Sequence, residues 1–123
     1  MATHPVAVRN SIVDGVVDQL DTGTGTPTFV FNTTGDVEVA TLAMDGTAAF
    51  GASSSGVATA NAIADDTNAT GGVTTKCILT DRDDLTIIEG TVGTSGTDII
   101  VSSTTIPVGA TVQISSLTYT GPL

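Results

Sequence analysis

Val73-Thr-Thr-Lys-Cys-Ile-Leu-Thr80, Asp81-Arg-Asp-Asp84 and Leu85-Thr-Ile-Ile-Glu-Gly-Thr-Val92 decide the fold. The outer two pieces are rich in β-branched residues, which suit a pleated surface. The acidic tetrapeptide between them is turn chemistry, because an Asp carboxylate accepts bonds from its own backbone. Together they predict a hairpin. In its first strand Val73, Thr75, Cys77 and Leu79 share one face, and Thr74, Lys76, Ile78 and Thr80 the other. Downstream, Gly93 to Thr97 reads as a loop. Asp98-Ile-Ile-Val-Ser102 reads as a short strand whose apolar run predicts burial on both faces. Ile106-Pro-Val-Gly-Ala110 is a turn, since Pro107 lacks an N–H and Gly109 is free to take positive φ. Thr111 to Thr120 is the last strand. Val112 and Ile114 share one parity and Leu117 and Tyr119 the other, which predicts a bulge or bend near Ser115-Ser116, or a strand leaving one sheet for another.

Working back from this stretch, Asp65 to Gly72 is turn-rich, and Ala-rich Val57 to Ile63 suits a strand or a short helix. Asp45 to Gly56 is a loop of small residues with Phe50 as its anchor. Thr28 to Phe31 and Asp36 to Met44 form a second hairpin around Asn32-Thr-Thr-Gly-Asp36, with Gly35 as the residue free to take positive φ. The return strand also changes phase, from Val37 and Val39 to Leu42 and Met44, so a second bulge or bend is expected. Asp21 to Pro27 is a flexible linker. Before it, Val6 to Leu20 is the one helical candidate: Ile12, Val13, Val16, Val17 and Leu20 recur at three and four and make one apolar stripe. Such a helix covers a sheet edge or the mouth of a sandwich, or it docks on a neighbouring subunit.

The fold class expected is therefore mainly β: an antiparallel sandwich or barrel of about seven strands with one N-terminal helix. Residues 1–21 are expected to form a helical docking segment and residues 22–123 the β-sandwich domain. At 123 residues the chain is long enough for one sizeable core, built of Val, Ile, Leu and Ala because aromatics are only 3%.

Thirteen acidic and three basic residues give a net charge of −10. That sign repels phosphate backbones and anionic membranes, so nucleic-acid and membrane partners are not expected; it favours solubility and a basic partner. No apolar run approaches the 18 or so residues of a membrane span. Met1-Ala-Thr-His-Pro5 lacks the basic and apolar regions of a secretion signal.

Little catalytic chemistry is written into the chain. Cys77 stands alone, without an intrachain disulfide partner, and reads as a small buried hydrophobe; His4 is the one histidine. Asp65-Asp66 and Asp81, Asp83 and Asp84 supply oxygens of the kind calcium takes. Asp81-Arg-Asp-Asp84 nevertheless lacks the Gly and distal Glu of an EF-hand loop, so solvated turns are expected instead. Asp36, Glu38 and Asp45 are the nearest approach to a hydrolytic carboxylate pair, and no spacing selects one. Phosphate-binding glycine motifs are missing. The triplets Asn32-Thr-Thr34 and Asn68-Ala-Thr70 match glycosylation acceptors by chance in so Thr-rich a chain. The expectation is a non-enzymatic protein without metal or cofactor.

Four stretches carry a resemblance: His4-Pro-Val-Ala-Val-Arg-Asn-Ser-Ile-Val-Asp14, Ala69-Thr-Gly-Gly-Val-Thr-Thr-Lys76, Glu89-Gly-Thr-Val-Gly-Thr-Ser-Gly-Thr-Asp-Ile-Ile-Val101, and Pro107 to Thr120. Together they resemble small virion structural proteins of tailed bacteriophages and prophages. The resemblance implies a capsid decoration (cement) protein, made in the host cytoplasm and carried on the capsid surface. Its partner would be the major capsid protein or another virion protein, and it would work as a homo-oligomer, a trimer being one arrangement. A tail, fibre or head–tail connector component is the alternative, and a carbohydrate-binding β-sandwich using Phe29, Phe31, Phe50 or Tyr119 is the second. On either virion reading, Val6, Val8, Arg9, Ile12, Val13 and Val16 are the expected partner-binding residues, so that removing residues 1–20 would leave a folded domain that no longer associates.

Overall fold

A computed structural model describes residues 3–121. Met1, Ala2, Pro122 and Leu123, which fall within the two expected segments, lie outside the described residues. The protein is mainly β with one N-terminal helix, α1 (Val6–Val17), which runs into a 3₁₀ turn over Asp18–Asp21. Pro5 precedes the helix and its carbonyl accepts the Arg9 N–H at 3.0 Å. The expected helix ended at Leu20. The chain instead tightens at Asp18, and the tighter turn carries Leu20 into the core beside Val13 and Val17.

Among the described residues there are nine short strands: β1 (Thr28–Asn32), β2 (Glu38–Ala43), β3 (Val57–Thr59), β4 (Gly72–Val73), β5 (Lys76–Thr80), β6 (Thr86–Gly93), β7 (Ile99–Ile100), β8 (Thr105–Ile106) and β9 (Thr118–Thr120). A five-stranded sheet has the order β2-β1-β5-β6-β7, and β3–β9 and β4–β8 form two small two-stranded sheets. All pairs are antiparallel except β6–β7, which is parallel.

Register sets one face of the large sheet inward. Phe29 stands between Leu42 and Leu79, and Phe31 between Ala40 and Cys77. All six are buried, and the two Phe rings lie 5.0 Å apart at 57°. Val13, Val17, Leu20, Phe50, Ala58 and Leu117 complete the same core. The expected bulge in the return strand sits at Val39: Phe31 pairs with Ala40 while Asn32 pairs with Glu38, so Val39 and Ala40 are both buried. Val37, on the far side of the bulge, is 62% exposed.

Several local expectations change. Positive φ in the first hairpin falls on Asp36 (64°), not Gly35. Asp tolerates that region, and the Asp36 N–H donates to the Thr33 carbonyl at 3.0 Å. The stretch 73–80 is two strands, split where Thr74 turns inward and its N–H donates to Thr104. Thr74 is fully buried, with its hydroxyl 3.1 Å from the Asn32 carbonyl. The segment 98–102 is not buried on both faces: β7 covers only two residues at the edge of the sheet and Ile100 is 60% exposed. The last segment is extended rather than one long strand. Val112 bridges Asp66, the chain bends at Ser115, and β9 then joins β3, so the phase change marks a change of partner.

Candidate functional site

The N-terminal segment bears two surfaces. Val6 and Val8 are exposed, Arg9, Ile12 and Val16 are half-buried, and Val13 is wholly inside. The inner surface is tied to the turn before β3. Asp14 Oδ1 accepts the Ser53 N–H at 2.9 Å, Asn10 Oδ1 accepts the Gly56 N–H at 2.8 Å, and the Ser53 hydroxyl donates to the Asn10 carbonyl at 3.1 Å. Ser55 (φ 52°) and Gly56 (φ 76°) both lie in the left-handed region and make that turn tight. Val13 packs so closely on the last described residue that a Cβ at Gly121 would stand 2.6 Å from Val13 Cγ2. Of the six residues expected to meet a partner, then, Val6 and Val8 face solvent most openly and Val13 joins the core.

The acidic residues hold turns. Asp81 is buried, and its Oδ1 accepts the N–H groups of Asp83 and Leu85, each at 2.9 Å. Asp66 accepts Asn68 N–H through one oxygen and Thr41 N–H through the other, closing the outer edge of β2. Asp65 accepts a bond from the Gln113 side-chain amide at 2.9 Å. Asp45 accepts the N–H groups of Thr47 and Ala48, and these bonds hold its carboxyl below the ordinary value. Arg82 crosses to the same loop, donating to the Gly46 carbonyl. Asp36 pairs with Lys76 at 2.8 Å, while Glu38 accepts bonds from the Thr41 and Thr70 hydroxyls. Among the described residues, no three His, Cys, Asp or Glu side chains come together as a metal-binding set.

Cys77 is buried on the inner face of β5. Burial pushes its thiol up to about 11, with the negative charge of Asp98 adding to the shift, so at neutral pH it is a protonated thiol rather than a nucleophile. Gly90 stands opposite it and makes room for Asp98: a Cβ there would lie 3.1 Å from Cys77 Sγ and 3.3 Å from Asp98 Oδ2. Asp98 in turn accepts bonds from the Thr91 N–H and hydroxyl at 2.9 and 3.1 Å. From sequence this carboxylate is an ordinary residue of the strand expected at 98–102; in the structure it lies just before β7. An isolated glycine inside a strand, Gly90, is the signal that something approaches closely there.

Two open clefts of about 350 and 340 Å³ run between this half of the sheet and the C-terminal segment. The second is lined by Cys77, Leu79, Ile88, Ile99, Leu117 and Tyr119 among others, which makes it the more apolar. Phe29, Phe31 and Phe50 are buried and Tyr119 is half-buried, so the aromatic side chains named for a sugar platform serve the core. Comparison of the chain with protein-family models, with characterised proteins and with solved structures returns no match.

Proposed function

We propose that this protein is a non-enzymatic structural component of a bacteriophage virion, and within that class a capsid decoration protein that binds the major capsid protein lattice and stabilises the head. The observation that carries the reading is how the carboxylates are used. Asp14, Asp45, Asp66, Asp81 and Asp98 each accept backbone N–H bonds, so the polar side chains that offer chemistry are spent on holding loops in place. A stable, acidic, cofactor-free body is what a lattice-binding protein requires, because many weak contacts repeated over a shell sum to firm attachment. The net charge of −10 keeps such a body from adhering to packaged DNA. In this reading the helix and the β3–β9 pair form the second layer of a sandwich over the five-stranded sheet, and Val6 and Val8 provide lattice contacts.

The test is co-sedimentation of the purified protein with capsid shells lacking it, followed by heating. Saturable, stoichiometric binding with a raised shell disruption temperature is the expected result. Recovery on tails or connectors instead would assign it to that part of the particle, and binding to neither would overturn the virion reading.

A further inference from the structure

Two sheets leave an edge on the same side of the molecule. β7 closes the five-stranded sheet. β9 is the outer strand of its pair, because Phe50 and Ser54 bridge to Ala60 and Val57 on the far side of β3. Backbone bonds show which groups these strands turn outward. The Val101 N–H donates to the Gly93 carbonyl, so Ile100, the residue opposite Gly93, turns its own N–H and C=O away from β6. The Ala60 N–H donates to the Leu117 carbonyl and the Gly121 N–H to the Gly56 carbonyl. That turns Tyr119 toward β3, and Thr118 and Thr120 away from it. Among the described residues, no backbone group pairs with those of Ile100, with the outward groups of Thr118 and Thr120, or with Ile114, Ser115 and Ser116.

These two edges are the lips of one groove. The clefts of about 340 and 350 Å³ described above share Asp98 and Ile99, and a third of about 330 Å³ shares Phe31 and Ile100 with the second of them. Residues 112–120 form one wall along their length. Buried Phe31, Cys77 and Leu79 supply an apolar floor, and Ile100 at the rim is 60% exposed. The charged side chains in the lining of these three clefts are Glu89 and Asp98, both acidic. Among the described residues neither forms an ion pair. Lys76 lines an adjoining cleft of about 300 Å³, where Asp36 neutralises it at 2.8 Å and Glu89 and Asp98 are again present.

We propose that this groove takes an extended, basic segment of a partner polypeptide, which adds as a strand to the outer edge of β9. Outward N–H and C=O groups on a sheet edge are a template for another strand. Main-chain bonds then supply affinity, and alternate side chains reach the floor below. Side chains of a strand alternate, so the segment sets apolar residues on Phe31, Cys77 and Leu79. A lysine or arginine meets Glu89 and Asp98, which have no cation of their own. A second copy of this chain does not fit that description. Its three basic residues are committed to folded elements: Arg9 in α1, Lys76 in β5, and Arg82 in the turn between β5 and β6. Two bodies of charge −10 also repel. The inference does not rest on the virion reading, and failure to sediment with shells leaves it standing.

The test is fluorescence anisotropy of the full chain with a capped, fluorescein-labelled peptide the length of residues 112–120, in which valine alternates with lysine and threonine. Saturable binding with a dissociation constant under about 1 mM is the expected result, with the Thr118 and Thr120 amides protected from hydrogen exchange in the complex. The same peptide N-methylated along its central residues keeps its charge and side chains but loses its N–H donors, and it should bind at least about tenfold more weakly. Glutamate in place of its lysines should weaken it as much. Glu89→Lys, at an exposed position, should weaken binding at least about fivefold. Asp18→Lys, an equal change of charge outside the groove, should stay within about twofold. The peptide variants decide the matter should Glu89→Lys fail to fold. Absence of saturable binding overturns the proposal. So does an N-methylated or glutamate peptide that binds as well as the first, or an Asp18→Lys variant as damaging as Glu89→Lys.

Discussion

Replacing Leu20 by Ala tests whether the N-terminal segment is part of the core or an arm laid upon it. Leu20 has no exposed surface and belongs to the same cluster as Phe29, Leu42 and Leu117. Removing a fully buried leucine side chain costs about 2–5 kcal/mol, from lost transfer energy plus the cavity left behind. Domains of this size have about 5–15 kcal/mol in total, so the variant stays folded with its margin much reduced. With a urea slope of about 1.5 kcal/mol per molar, the midpoint should fall by about 1–3 M at unchanged slope. Equilibrium unfolding followed by far-ultraviolet circular dichroism reads this directly. A fall under about 0.3 M would refute the assignment of Leu20 to the core, since it would mean less than ~0.5 kcal/mol was lost. The same reasoning predicts that a chain lacking residues 1–20 loses cooperative unfolding, in place of the folded domain expected from the sequence, because Val13, Val17 and Leu20 go together.

Gly71→Ala should destabilise by at least about 2 kcal/mol, because it combines an unfavourable φ with a clash against the Val108 backbone; thermal unfolding checks it. Cys77 in the native protein should react with iodoacetamide at pH 8 about 100-fold more slowly than an ordinary thiol, since the shift from 9.0 to about 11 removes most of the thiolate; unfolding in urea should restore the rate. Asp45 has a lowered folded value, so its contribution to stability is present above the unfolded value and is lost as pH falls through the folded one. Asp45→Asn should therefore flatten the acid limb of the stability profile below pH 3.8 and leave the neutral region's slope unaltered, as followed by urea midpoints across pH.

What sequence reading captured is what local chemistry determines. The β5–β6 hairpin follows from Asp81, whose carboxylate caps the turn it begins. The breaks in apolar parity at Val39 and near Ser115 correspond to a bulge and a bend, because alternation cannot survive either. The helical stripe correctly marked Val13, Val17 and Leu20 as one face. Pairing between distant segments was not legible. Nothing in Thr28–Asn32 says that it lies between β2 and β5, and nothing in Ile99–Ile100 says that it runs parallel to β6. Short strands rich in Thr and Gly carry weak register signals, so partners are chosen by the assembled core. The helical stripe included Val13 and not Val6 or Val8, but an apolar helix face does not say whether it meets its own sheet or a neighbour, so Val13 stood beside Val6 and Val8 among the expected partner contacts. The role of Asp98 was hidden because its partner, Thr91, sits across a loop and its space is supplied by Gly90.

The pairing of β1 with β5 has a consequence for how the chain reaches its final state. Phe29 meets Leu79 across fifty residues of intervening chain, and Ala58 meets Tyr119 across sixty-one. Loops that long must close before the contacts they bring together contribute anything, so acquisition of structure is slow for a chain of this length. During synthesis α1 is made before all nine strands, yet β9, which meets the helix, is made after the other eight. Val13, Val17 and Leu20 are therefore incompletely covered until β9 has been made, and over that interval the nascent chain is exposed to chaperones and to aggregation.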